Sequence, residues 1–245
     1  MILVVGSNRD DVLYFQSCLK DVKEEIILNK YRAFTGTILN QNVMVLQDIY
    51  TSYVSSSLLT HVIEKYYILM VFCVGTCYAL NKDIKVGDIA ISEFATFGDV
   101  NQTAMIKGTS LGQIPGYPQL FHSNKELIAN LENILASVGS SGHLLTTFMN
   151  SSYYYRDEKM IKELSLDSGV SNKNKNIVVD GITAGVAMAC HLFDIPFISI
   201  KVVEGYLGEK TSVDNYINVL EQYVLIGKSV IECIGEISRN DVLRG

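Results

Sequence analysis

Proline is scarce in this chain, with three in 245 residues. Two of them, Pro115 and Pro118, share one stretch with Gly108, Gly112 and Gly116. Fixed-φ prolines set among permissive glycines describe a loop of defined conformation rather than a tether. Long apolar runs are also missing. None approaches the roughly 18 residues that a membrane-spanning helix needs, so a membrane is not an expected partner. The opening Met1–Val5 lacks a basic flank and is cut short by Gly6, unlike a secretion signal. Excess positive charge is missing too. The 20 Lys and Arg against 26 Asp and Glu leave a net charge of −6, whereas nucleic acid as main partner would require a basic surface. The five cysteines (Cys18, Cys73, Cys77, Cys190, Cys233) are odd in number and scattered, and Cys73-x-x-x-Cys77 has no second Cys/His pair at ligand spacing. Free thiols in a reducing cytoplasm are expected, with no metal and no cofactor.

What is present reads as α/β. Hydrophobic content of 48% with 19% charged residues gives a sizeable core, and residues 1–245 contain no credible linker and no repeat. Met1–Val5 reads as a strand, Gly6-Ser7-Asn8 as a turn, and Val12, Phe15, Leu19 and Val22 recur at helical spacing. Arg32–Leu39 and Val43–Leu46 read as a hairpin, followed by a helix from Val54 to Tyr66. The unbroken apolar run Ile68–Val74 fits a strand buried on both faces. Lys85-Val86-Gly87-Asp88 reads as a loop leading into strand Ile89–Ser92, and a long excursion follows as far as Pro118. Later come a helix from Asn124 to Leu135, strands at Gly142–Thr147 and Pro196–Val203, and a final helix, Val213–Ser238, with Ile217, Leu220, Val224, Ile231 and Ile234 on its apolar side. The expected fold is a single α/β domain whose central twisted, mixed sheet is flanked by helices, with ligands at the carboxyl ends of its strands.

The stretch Lys85-Val86-Gly87-Asp88-Ile89, with Thr103-Ala104 and Gly112-Gln113-Ile114-Pro115-Gly116-Tyr117-Pro118 behind it, resembles the purine nucleoside phosphorylase superfamily. The spacing is similar to that of its 5'-methylthioadenosine/S-adenosylhomocysteine nucleosidases. The resemblance runs, more thinly, over almost the whole chain. It implies hydrolysis of a purine N-glycosidic bond without a cofactor, a purine nucleoside as ligand, and a homodimer. In the dimer, Met105 and Pro115 would wall the partner's pocket.

Residue by residue, the resemblance places Asp11 at the carboxylate that orients the attacking water. Its other reading is an N-terminal acid of the first helix. Gly75 and Thr76 fall on the turn against base and ribose, where Tyr78 and Ala79 replace glycines. Phe148 stands two positions from the base-stacking aromatic. Asp180 falls on the first glutamate of V-E-M-E, Gly181 on the methionine under the sugar, and Ile182 on the glutamate that grips the ribose hydroxyls. The general-acid aspartate corresponds to Gly205, with Glu204 one residue earlier. Glu204 serves only where the strand end bulges. Two readings follow. One is a non-catalytic homologue that keeps the fold and a purine-nucleoside pocket or a dimer-scaffold role. The other is an active hydrolase using Asp11 with Glu204 or Asp180.

Overall fold

The computed structural model describes residues 1–138, 142–150, 176–209 and 213–244, with the backbone alone at 213–218 and 238–244. Its strands are β1 (Ile2–Gly6), β2 (Lys20–Ile27), β3 (Tyr31–Ile38), β4 (Gln41–Leu46), β5 (Met70–Ala79), β6 (Ile89–Phe97), β7 (Phe121–His122), β8 (His143–Asn150), β9 (Ile177–Asp180) and β10 (Phe197–Tyr206). Its helices are α1 (Arg9–Cys18), α2 (Ser52–Tyr66), α3 (Lys125–Ser137), α4 (Thr183–Leu192) and α5 (Val213–Arg244).

The strands form one mixed sheet in the order β10-β6-β8-β9-β5-β1-β4-β3-β2, with β7 paired to β6. Because β10 also pairs with β5, the first five strands of that order close on themselves, and β1, β4, β3 and β2 fan out from β5. Strand β5 is the hinge of the arrangement. It lies parallel to both β1 and β10, and its side chains alternate between two cores as the pleat requires. Val71 and Cys73 pack with residues of α2 and α4, whereas Phe72 and Val74 pack with residues of α1, α3 and α5. The flanked mixed sheet is the architecture that the sequence implied.

Helices α2 and α4 meet closely at Gly185, where an added Cβ would run into Ser55 Oγ and the Ser52 carbonyl. Thr51 and Asn124 cap α2 and α3 by accepting from backbone N–H groups of the first turn. The Lys85–Asp88 turn is closed by Asp88, whose Oδ2 accepts from Lys85 N–H at 2.8 Å. This turn also clamps β10. Gly87 N–H donates to the Val203 carbonyl at 2.8 Å, and Val203 N–H donates to the Asp88 carbonyl at 2.9 Å.

Two readings are corrected. The helical spacing Val12, Phe15, Leu19, Val22 runs past the true end of α1 at Cys18, and the chain then enters β2. Cross-strand pairing of Lys23, Glu24 and Glu25 with β3 overrides the helical period there. On α5 the packed side runs through Val219, Ile226, Val230 and Ile234, leaving Leu220 and Val224 at 41% and 42% exposure.

Candidate active site

Strands β5, β9 and β10 with helices α1 and α5 bring three acids, one lysine and two tyrosines into one region. Helix α1 starts directly after β1, which places Asp11 in its first turn, buried at 4% exposure. Tyr223 of α5 donates to Asp11 Oδ1 at 2.7 Å, and Asn8 N–H donates to Oδ2 at 2.9 Å. Gly75 makes room for this carboxylate. Its φ is +135°, and a Cβ there would lie 2.7 Å from Asp11 Oδ2. Burial pushes the Asp11 carboxyl above the usual aspartate range, and the bonds from Tyr223 and Asn8 offset part of that.

On the α4 side, Asp180 ends β9 and caps α4. Its carboxylate accepts from Thr183 N–H, at 3.1 Å to Oδ2, and from Thr183 Oγ1 at 2.6 Å. Lys201, which pairs with Gly75 across the β5–β10 ladder, places Nζ 2.5 Å from Asp180 Oδ2. Burial alone would lower the Lys201 pKa, but the charge of Asp180 outweighs it and the amine is held protonated, with a further contribution from Asp11. Thr183 Oγ1 also lies 3.1 Å from Ser199 Oγ, so the pair sits in a satisfied polar network.

Glu204 occupies a bulge. Val203 pairs with Cys77 and Gly205 with Tyr78, so the β5–β10 register shifts around Glu204. Tyr78 OH donates to Glu204 Oε1 at 2.9 Å. The charge of Glu204, like that of Asp11, helps raise the Tyr223 pKa, although burial is the larger cause. An open cavity of about 520 Å3, lined in part by Phe121, His122, Cys190 and His191, lies towards the opposite end of α4 and includes none of these acids.

The sequence profile of the Phosphorylase superfamily matches residues 1–232. The chain belongs to that superfamily. It is 24% identical over 237 residues to the 5'-methylthioadenosine/S-adenosylhomocysteine nucleosidase of Staphylococcus haemolyticus, covering 96% of this chain and 98% of that one. Its fold is similar to the nucleosidase of Neisseria meningitidis in complex with methylthio-immucillin-A, with TM-score 0.84, 19% identity and coverage of 96% and 98%. It is also similar to that of Colwellia psychrerythraea 34H in complex with adenine, with TM-score 0.82, 19% identity and coverage of 96% and 94%.

Within this superfamily scaffold the residues singled out in the sequence are unevenly placed. Asp11 lies in the first turn of α1, Asp180 ends β9 and Glu204 lies near the end of β10, whereas Gly75 and half-buried Thr76, read in the sequence as a turn, lie inside strand β5. Gly181 approaches the Tyr50 carbonyl, where an added Cβ would lie at 2.9 Å. Ile182 is fully enclosed and belongs to the α2/α4 core. Phe148 is also fully enclosed in that core. Met105 (84% exposed) and Pro115 are exposed on the loop between β6 and β7. Tyr153-Tyr154-Tyr155, which reads in the sequence as loop packing or an interface, lies outside the described residues. Sequence reading missed Lys201 and Tyr223. Lys201 carried a usable signal, since a lysine inside the apolar strand Phe197–Val203 must find a counter-charge. Tyr223 carried none, because a tyrosine on an amphipathic helix is ordinary.

Proposed function

We propose that this chain is a diverged homologue of the 5'-methylthioadenosine/S-adenosylhomocysteine nucleosidases that binds a purine nucleoside and has lost most or all N-glycosidic hydrolase activity. The observation that carries this reading is the pair Asp180 and Ile182. The position that would grip the ribose hydroxyls holds an enclosed isoleucine. The nearest carboxylate, Asp180, has its lone pairs taken by Thr183 and Lys201. A carboxylate in a buried ion pair with helix-capping bonds does not turn to a sugar without leaving Lys201 unpaired, which is strongly unfavourable. The likeness to nucleosidases solved with methylthio-immucillin-A and with adenine supports the choice of ligand class. The whole chain forms one such unit, acts in the cytoplasm, and pairs as a homodimer through the outer loop carrying Met105 and Pro115.

A second reading, an active hydrolase, is favoured by the bulge. A regular strand would aim Glu204 to the wrong face, whereas the shift at Val203/Gly205 re-aims it, and Tyr78 then orients its carboxyl. In that reading Glu204 protonates the leaving base and Asp11 orients water. Calorimetric titration with methylthioadenosine tests the proposal. Saturable binding is expected, and a protein binding neither methylthioadenosine nor adenine contradicts it.

A further inference from the structure

Asn150 ends β8, is fully buried, and among the described residues has no hydrogen-bond partner for either its side-chain oxygen or its side-chain nitrogen. A primary amide carries two N–H donors and an acceptor oxygen with two lone pairs. Leaving these unmade in the interior weakens the fold, and an apolar side chain of the same shape, leucine, would be tolerated better. The backbone of Asn150 is already used, since its carbonyl accepts from Gly98 N–H at 2.7 Å. Only the amide head is free.

Register fixes where that amide lies. In the parallel β8–β9 ladder Asn150 stands opposite Asp180, and Phe148 opposite Val178, so these four side chains share the face packed by α4. Asp180 cannot be the missing partner, because its bonds run to Thr183, the Ile182 N–H and Lys201. The amide is therefore an unpaired donor–acceptor group at the carboxyl end of β8, in register with Asp180 of the acid cluster.

We infer that the Asn150 amide is the group that reads the base of the bound ligand, pairing edge-on with a 6-aminopurine; this rests on the purine-nucleoside reading above. The amide oxygen accepts from the exocyclic amine while the amide nitrogen donates to the adjacent ring nitrogen, both in one plane. A phosphate, which only accepts, would engage only the amide nitrogen. The asparagine thus sacrifices some stability of the empty protein for discrimination of the base.

The test compares the full-length wild type with Asn150→Leu, by thermal unfolding without ligand and by calorimetric titration with adenine and with unsubstituted purine. The variant is expected to unfold at a higher temperature than the wild type and to bind adenine about tenfold or more weakly. Unsubstituted purine, lacking the 6-amino group but keeping the ring nitrogen, is expected to lose less affinity than adenine does on this substitution. Equal adenine affinity in the two proteins overturns the inference while leaving the purine-binding reading intact. A less stable variant with unchanged affinity also overturns it, and shows the amide bonded to a structural water. A wild type that binds neither adenine nor methylthioadenosine overturns both readings. Wild-type protein labelled with 15N-asparagine gives a readout independent of how Asn150→Leu folds. One side-chain NH2 pair, identified by its absence from Asn150→Asp, is expected to move saturably with adenine, and its failure to move overturns the inference.

Discussion

Lys201 Nζ lies 2.5 Å from Asp180 Oδ2, and both side chains are 1% exposed. The pair joins the end of β9 to the middle of β10 under the α4 N-terminus, so it ties Asp180 of the acid cluster to β10. Removing only the lysine leaves a buried carboxylate without its counter-charge. Lys201→Met is expected to cost about 3–5 kcal/mol in urea unfolding. Asp180→Asn in the same chain should restore part of that, because the asparagine still accepts from Thr183. The folded-state pKa of Lys201 is raised, so its contribution is fully present at neutral pH and is lost only as pH rises above the unfolded lysine value of 10.5. A single variant within about 0.5 kcal/mol of wild type, the range of ordinary surface substitutions, would show that the pair does not hold the site.

Asp11 has a dependence of the same sign, in a more acidic range. Its folded pKa is raised by burial, so the ionised form weakens the fold, and this penalty fades as pH falls through the folded value towards the unfolded value of 3.8. Tyr223→Phe removes the bond to Asp11 Oδ1 that favours the charged form. The expected loss at pH 8 is about 1.5–3 kcal/mol, typical of a hydrogen bond to a charged group, with a smaller loss at pH 5. Denaturant unfolding at the two pH values measures it. A loss that does not change with pH contradicts the placement of Tyr223 on Asp11.

Gly75→Ala meets two obstacles at once, a φ of +135° and the Asp11 carboxylate 2.7 Å from the new methyl group. Gly87→Ala is the internal control, because its φ is +92° and nothing lies within 4 Å of an added Cβ. Backbone strain alone is worth about 1–3 kcal/mol. Gly75→Ala should therefore lower the melting temperature clearly more than Gly87→Ala, and equal shifts would mean that Asp11 does not pack beneath Gly75.

The proposed homodimer predicts a mass twice the 27.2 kDa of the chain by light scattering. Met105 is 84% exposed in the single chain and its neighbour Ile106 is 41% exposed. Met105→Glu should shift the protein towards the monomer. A single-chain mass for the wild type at every concentration rules the dimer out.

Much of the scaffold was legible in the sequence because its signals are local. The apolar run after Ile68 became the hinge strand β5, and Gly87 with Asp88 became the turn that clamps β10 at Val203. The run Asp180-Gly181-Ile182, singled out in the sequence, ends β9 and opens α4. Three features were not legible. Strand β2 reads as a continuing helix because its pairing with β3 is tertiary. The bulge at Glu204 was a stated condition that a single sequence cannot resolve, since one residue of register has no composition signal. The Tyr223–Asp11 contact spans 212 residues and depends on how α5 lies across α1.

The central claim, that this superfamily scaffold binds a purine nucleoside without cleaving it, is tested most directly by adenine release from methylthioadenosine at enzyme concentrations equal to substrate. General acid catalysis alone typically contributes about 10²–10⁴-fold, so an intact site would complete a turnover readily under these conditions. No release above the protein-free rate is the expected result. Release in the wild type that is abolished by Glu204→Gln would contradict the claim and establish the bulged glutamate as the acid of a working hydrolase.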